Sequence, residues 1–117
     1  MIDDKKDRFF GCSAAEWIRR IPNELERDAV GFWQIVPVGR RGFGLEGDEL
    51  REFVRRSLAA VLERGAVPAA YCNGKWVPTW KHGKDQKAIL ESITNEWEDS
   101  GRRDPDVDDL WLALPSD

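Results

Sequence analysis

Residues 39–47, Gly39-Arg40-Arg41-Gly42-Phe43-Gly44-Leu45-Glu46-Gly47, lead out of a predicted strand and into a predicted helix. Backbone amides and the helix dipole favour a bound anion at such a junction. A nucleotide-binding loop, however, ends in Gly-Lys-Ser/Thr to reach the outer phosphates and magnesium, and this one ends in Glu46-Gly47-Asp48-Glu49. Those carboxylates already satisfy the dipole and would repel a phosphate. The reading favoured is a flexible connecting loop with a solvated basic tip at Arg40 and Arg41.

The second concentration of chemistry is Tyr71, Trp76 and Trp80, followed by Lys81, His82, Lys84 and Lys87. Aromatics interleaved with bases can stack on single-stranded nucleic acid, each stacked base contributing about 1–3 kcal/mol. Arg41-Gly42-Phe43-Gly44 also matches the first four positions of the RNA-recognition signature K/R-G-F/Y-G/A, but Leu45, Glu46 and Asp48 replace its remaining apolar and aromatic positions. The competing reading is that an aromatic hairpin face packs against a helix, for which Phe53 and Leu58 offer a partner surface. We assign Trp76 to the core, leave Trp80 unassigned and read the lysines as solvated.

His82 is the sole histidine, so a histidine-rich metal site cannot be built within one chain. Cys12 or Cys72 with His82 is the one nucleophile–base combination, and nothing nearby lowers a thiol pKa. Asp104, Asp106 and Asp108 alternate as in a calcium loop, but the glycine and glutamate that loop requires are here Asp109 and Pro115, which leaves an acidic turn. Arg51 and Arg55 lie four apart on a predicted helix, with Arg56 beside them and Glu52 placed to pair with Arg56. Like charges at that spacing cost a few tenths of a kcal/mol; the segment 104–109 of the same chain, a partner's carboxylates or phosphates could neutralise them, and the intramolecular answer is the least demanding. The predicted binding residues are therefore Arg40, Arg41, Arg51, Arg55, Tyr71, Trp76, Trp80, Lys81, His82 and Lys84. No catalytic set, metal site or cofactor is predicted.

These residues must be positioned by a short list of elements. Ser13-Ala14-Ala15-Glu16 is a capping box that starts a short helix ending near Pro22, with Cys12 and Trp17 placed as a hydrophobic staple. Residues 29–38 are rich in β-branched and aromatic side chains and read as a strand buried on both faces. Leu50, Phe53, Val54, Ser57, Leu58, Val61 and Leu62 form one apolar helical stripe, bounded by Asp48 as N-cap and Gly65 as C′ residue. Residues 67–72 and 75–80 flank Asn73-Gly74, a pair suited to a type I′ turn. The register this implies sets Tyr71 opposite Trp76, Ala69 opposite Pro78 and Val67 opposite Trp80. A third helix runs from Asp85 to near Gly101, and residues 110–114 form a last strand.

The order β-α-β-β-α-β, preceded by a short helix, predicts an α+β domain over 9–115 with a four-stranded sheet, ferredoxin-like or split βαβ, after a flexible N-terminus over 1–8. Pro78 objects, since it would lie in a central strand and cannot donate to a ladder. A winged-helix arrangement, with residues 48–64 as recognition helix, avoids that objection but lacks a convincing preceding helix.

The chain has 117 residues, 41% hydrophobic and 34% charged, with six Trp and two Cys. That excludes disordered and low-complexity classes. No apolar run reaches a membrane span and no signal sequence is evident, so a cytoplasmic address is expected. Two cysteines in a domain of this size are read as small buried hydrophobes and not as a disulfide framework. The net charge of −4 divides into +3 over residues 1–90 and −7 over residues 91–117, and the acidic last quarter disfavours general nucleic-acid affinity. The sequence therefore suggests a non-enzymatic domain that binds a protein partner or itself, the alternative being a small nucleic-acid-binding module that uses the arginines and the hairpin.

Overall fold

At Gly31 the chain passes from strand to helix. In the computed structural model, which describes residues 2–6, 11–106 and 110–115, β1 comprises only Val30–Gly31. Phe32–Pro37 forms α2 and Val38–Gly42 continues it as a π-helical turn. The strand predicted over 29–38 is thus corrected. Phe32, Ile35 and Val36 are buried, and their i, i+3, i+4 spacing satisfies a helix as well as a strand's apolar crowding. Gln34 favours the helix, because its side-chain oxygen accepts the Gly31 N–H at 2.8 Å and satisfies a donor at the helix start.

The reading of 39–47 as a flexible loop is corrected as well. A Cβ on Gly39 would stand 2.6 Å from Phe53 Cδ1, so glycine is what lets the π-turn press against the next helix. Phe43 is buried with its ring 5.5 Å from that of Phe53. The Phe43 and Leu45 amides donate to the Val38 and Gly39 carbonyls, each at 3.0 Å. Amides spent inside the turn are not presented to an anion.

α1, Ala14–Arg20, begins at the predicted capping box: Ser13 Oγ accepts the Glu16 N–H at 3.1 Å and the Glu16 carboxylate reaches back. The chain continues as a 3-10 helix, Ile21–Glu26, with Pro22 in its first turn. α3, Gly47–Glu63, buries all seven residues of the predicted stripe. Glu46, not Asp48, occupies its N-cap, and Asp48 lies in the first turn near the positive end of the dipole. α4, Gln86–Asp99, is capped by Asp85, whose carboxylate accepts the Ala88 N–H at 3.1 Å.

β2 (Val67–Cys72) and β3 (Lys75–Pro78) form the hairpin, with positive φ at Asn73 and Gly74 as a type I′ turn requires. Tyr71 faces Trp76 and Ala69 faces Pro78 as expected, but the ladder stops there. Val67 pairs with Ala113 of β4 (Trp111–Ala113), and Trp80 leaves the sheet. The strand order is β1-β4-β2-β3 and every pairing is antiparallel. A ferredoxin-like unit needs parallel neighbours joined by helical crossovers, so the expected β-α-β-β-α-β topology is corrected while the α+β class stands.

The same order resolves Pro78. Thr79 donates its N–H to the Pro68 carbonyl at 3.1 Å, and antiparallel pairs alternate in hydrogen bonding. Pro78 therefore turns its missing donor toward the open side of the edge strand. The winged-helix alternative gains the helix it lacked, from residues 32–42, but β4 separates β1 from β2 in the sheet.

The helices gather on one face of the sheet. Val30 and Leu112 contribute from that face to the main core with Phe53, Leu58, Ile89 and Ile93. Ile2 is 0% exposed in the same core, and Lys5 accepts the Ala14 N–H through its carbonyl at 2.9 Å. None of the described helices is long and apolar enough to cross a membrane.

Candidate functional site

On the sheet face turned away from the main core, four small residues leave room for large ones. Gly31, Ala69 and Ala113 lie on the strands and Ala29 just precedes β1; the three alanines form a separate buried cluster against which Trp76 and Trp111 pack. Strand alternation puts Ala69, Tyr71, Trp76 and Trp111 on this face. With no bulk beneath them the aromatic rings lie side by side across the strands. Tyr71 stands 5.2 Å from Trp76, Trp76 5.7 Å from Trp111, and Trp111 6.4 Å from Trp33, all tilted or edge-on.

This arrangement overturns the expected packing of the hairpin aromatics. Phe53 and Leu58 belong to the main core, whereas Trp76 packs on Ala29, Ala69 and Ala113 and against the Tyr71 and Trp111 rings, and its Nε1 donates to Asp28 Oδ1 at 3.3 Å. The Asp28 oxygen is held in place by also accepting the Ala29 N–H at 2.8 Å. Tyr71 is 60% exposed. An open groove of about 370 Å³ runs along the face, bordered by Tyr71, Trp76 and Trp111 and reaching Lys81 and Leu110. Trp33 and Trp111 belong to the site although neither is among the binding residues predicted from the sequence. The alternation Leu110-Trp111-Leu112-Ala113 already separates Trp111 from the leucines, and that signal could have placed it.

The predicted arginines lie elsewhere and are paired. Arg40 and Arg41 converge on Asp104, Arg41 at 2.7 Å, and Arg40 also reaches the Arg102 carbonyl. Arg51 bonds Glu98 at 3.0 Å and Arg55 bonds Glu91 at 2.7 Å, so their carboxylates come from α4 and not from residues 104–109. Arg55 holds the Glu91 carboxyl below its ordinary range, and Arg102 does the same for Glu98. Arg56 pairs with Asp3 and, as predicted, with Glu52.

Trp80 is 43% exposed with φ of +60° and stands off the aromatic face. Lys81 and Lys84 are exposed, but His82 is 6% exposed, with Nδ1 2.9 Å from Ser92 Oγ. Burial pushes its pKa below the ordinary value, Glu96 opposing and Lys81 reinforcing the shift. Cys12 and Cys72 are free thiols, but the burial expected of them is corrected: Cys12 is half-buried and Cys72, beside the hairpin turn, is exposed. Among the described residues no cluster of His, Cys, Asp and Glu could hold a metal ion; Asp108 and Asp109 of the alternating acidic run lie outside the described residues. Compared with known proteins, the chain matches no family model, no curated relative and no solved structure.

Proposed function

We propose that this chain is a non-catalytic interaction domain that binds a protein partner through the aromatic face of its sheet. The observation that carries the reading is the row Tyr71–Trp76–Trp111 on small-residue strands, its outer end Tyr71 exposed and its two tryptophans half-buried along an open groove. Trp and Tyr anchor protein interfaces because they bury large areas while giving up few rotatable bonds. The groove beside them is open at one end to Lys81, which supplies a charged rim. The alternative, nucleic-acid binding, draws its support from the arginines, and Arg40, Arg41, Arg51 and Arg55 are all engaged by carboxylates of the same chain.

The test is hydrogen exchange on the full chain with a captured partner, comparing wild type with a Tyr71→Ala/Trp76→Ser variant. Protection over residues 69–78 and 111–113, with binding lost in a variant that keeps its helical circular dichroism, is the expected result. Protection confined to α3, or salt-sensitive oligonucleotide binding in place of protein binding, overturns it. Sedimentation of the chain alone separates self-association from a foreign partner.

A further inference from the structure

The turn after β3 builds a second concavity, unrelated to the aromatic face except that Lys81 and Leu110 border both. Trp80 takes the left-handed backbone at φ +60°, and the Gly83 N–H closes the turn on the Trp80 carbonyl at 3.1 Å. A left-handed conformation at a bulky residue is costly and persists where the surroundings impose it. Here it swings His82 inward while Lys81 stays at the surface. The imidazole is buried with one nitrogen occupied: Nδ1 is 2.9 Å from Ser92 Oγ, whereas the nearest carboxylate to Nε2, Glu96, is 3.9 Å away and 69% exposed.

Around this ring lies a cavity of about 260 Å³. Its apolar walls come from Phe32, Ile93, Trp97 and Leu110, with the Phe32 and Trp97 rings edge-on at 6.5 Å. Lys81 and Arg103 bring two positive charges to the lining and Glu96 one negative. The Arg103 backbone is anchored at the cavity, its carbonyl accepting the Trp97 Nε1–H at 3.0 Å. The volume exceeds the ~150 Å³ that holds a benzene ring and falls just under the ~300 Å³ at which drug-sized ligand pockets begin. One ring with a short arm fits such a space.

We propose that this cavity is a binding site for a small aromatic monocarboxylate, its ring against the apolar wall that Phe32 and Trp97 form together and its carboxylate toward Lys81 and Arg103. Among the described residues the lining sets Lys81 and Arg103 against Glu96, a cationic excess that suits a carboxylate, and Glu96 opposes a dianion such as a phosphate monoester. In the tautomer whose Nδ1 accepts from the Ser92 hydroxyl, the neutral ring carries its proton on Nε2 and offers a donor to the ligand. The carboxylate can come from a free acid or from a chain end whose last residue is aromatic.

The test is titration of the ¹⁵N-labelled full chain, reading the Trp97 indole and His82 imidazole resonances. The probes are phenylacetate, its neutral isostere phenylacetamide, and a tripeptide ending in Phe. Phenylacetate is expected to shift both resonances saturably, phenylacetamide to bind about tenfold more weakly, the loss of one favourable charge contact. Lys81→Gln/Arg103→Gln changes two exposed side chains and is expected to weaken phenylacetate about tenfold while leaving phenylacetamide unchanged. A tripeptide that binds more tightly than phenylacetate identifies a chain end as the source, and one that binds more weakly identifies a free acid. Equal binding of acid and amide, shifts that survive the double substitution, or no saturable shift up to about 10 mM overturns the proposal.

Discussion

The indole of Trp33 lies directly over the backbone of Gly31, where a Cβ would stand 2.4 Å from its Nε1. The same absent Cβ would meet the Trp111 ring at 3.2 Å. Gly31 is thus the point at which the strand, the helix start and the aromatic face converge. Gly31→Ala is expected to push the indole outward and destabilise the fold by about 1–3 kcal/mol, the usual cost of overpacking. A urea titration reads it, and an unchanged midpoint would show that Trp33 moves aside freely.

Ser57 sits within the apolar stripe of α3, 0% exposed, and its hydroxyl finds no hydrogen-bond partner among the described residues. Ser57→Ala removes an unsatisfied buried group and improves helix propensity, so stability should rise by about 1 kcal/mol. A fall in the urea midpoint would reveal a partner for the hydroxyl.

Asp104 ties the end of the π-turn to the chain beyond α4 by holding two guanidiniums at once. Asp104→Ala should cost about 1 kcal/mol, since the pairs are only partly buried. It also releases two cations, so weak oligonucleotide binding should emerge at low salt and vanish as salt is raised. Fluorescence anisotropy with and without added salt checks this; tight, salt-independent binding would contradict it.

His82 gives the fold a pH dependence of definite sign. Burial lowers its pKa below 6.5 in the folded state, with Glu96 opposing and Lys81 adding to the shift. The unfolded chain then binds more protons than the folded one as pH falls below 6.5, so stability is complete above that value and declines beneath it. Urea midpoints at about pH 7.5 and about pH 5.5 should differ in wild type, and less so in His82→Gln. Equal slopes in the two proteins would assign the dependence to carboxylates.

Local rules that depend on neighbours in sequence were readable without a structure. Ser13 and Glu16 close their box within one helical turn, the α3 stripe needs only the 3.6-residue period, and Asn73-Gly74 specifies its turn through the positive φ both residues tolerate. Arg56 found Glu52 for the same reason, one turn away on a shared helix.

Tertiary structure decided wherever two local patterns competed or where a partner came from far along the chain. Phe32, Ile35 and Val36 suit a strand or a helix, and the choice fell to Gln34 and to the residue before β4, Leu110, whose carbonyl accepts the Phe32 N–H at 3.0 Å. The glycines of 39–47 resembled a loop because sequence does not show that Phe53 would press on Gly39. The charge split along the chain was visible in the amino-acid order, yet only folding brings Glu91, Glu98 and Asp104 onto the arginines. The aromatic face depends on the same long-range pairing. Tyr71 and Trp76 were set opposite by their turn, but Trp111 joins them because β4 inserts beside β2, a contact between residues some forty apart that no local period encodes.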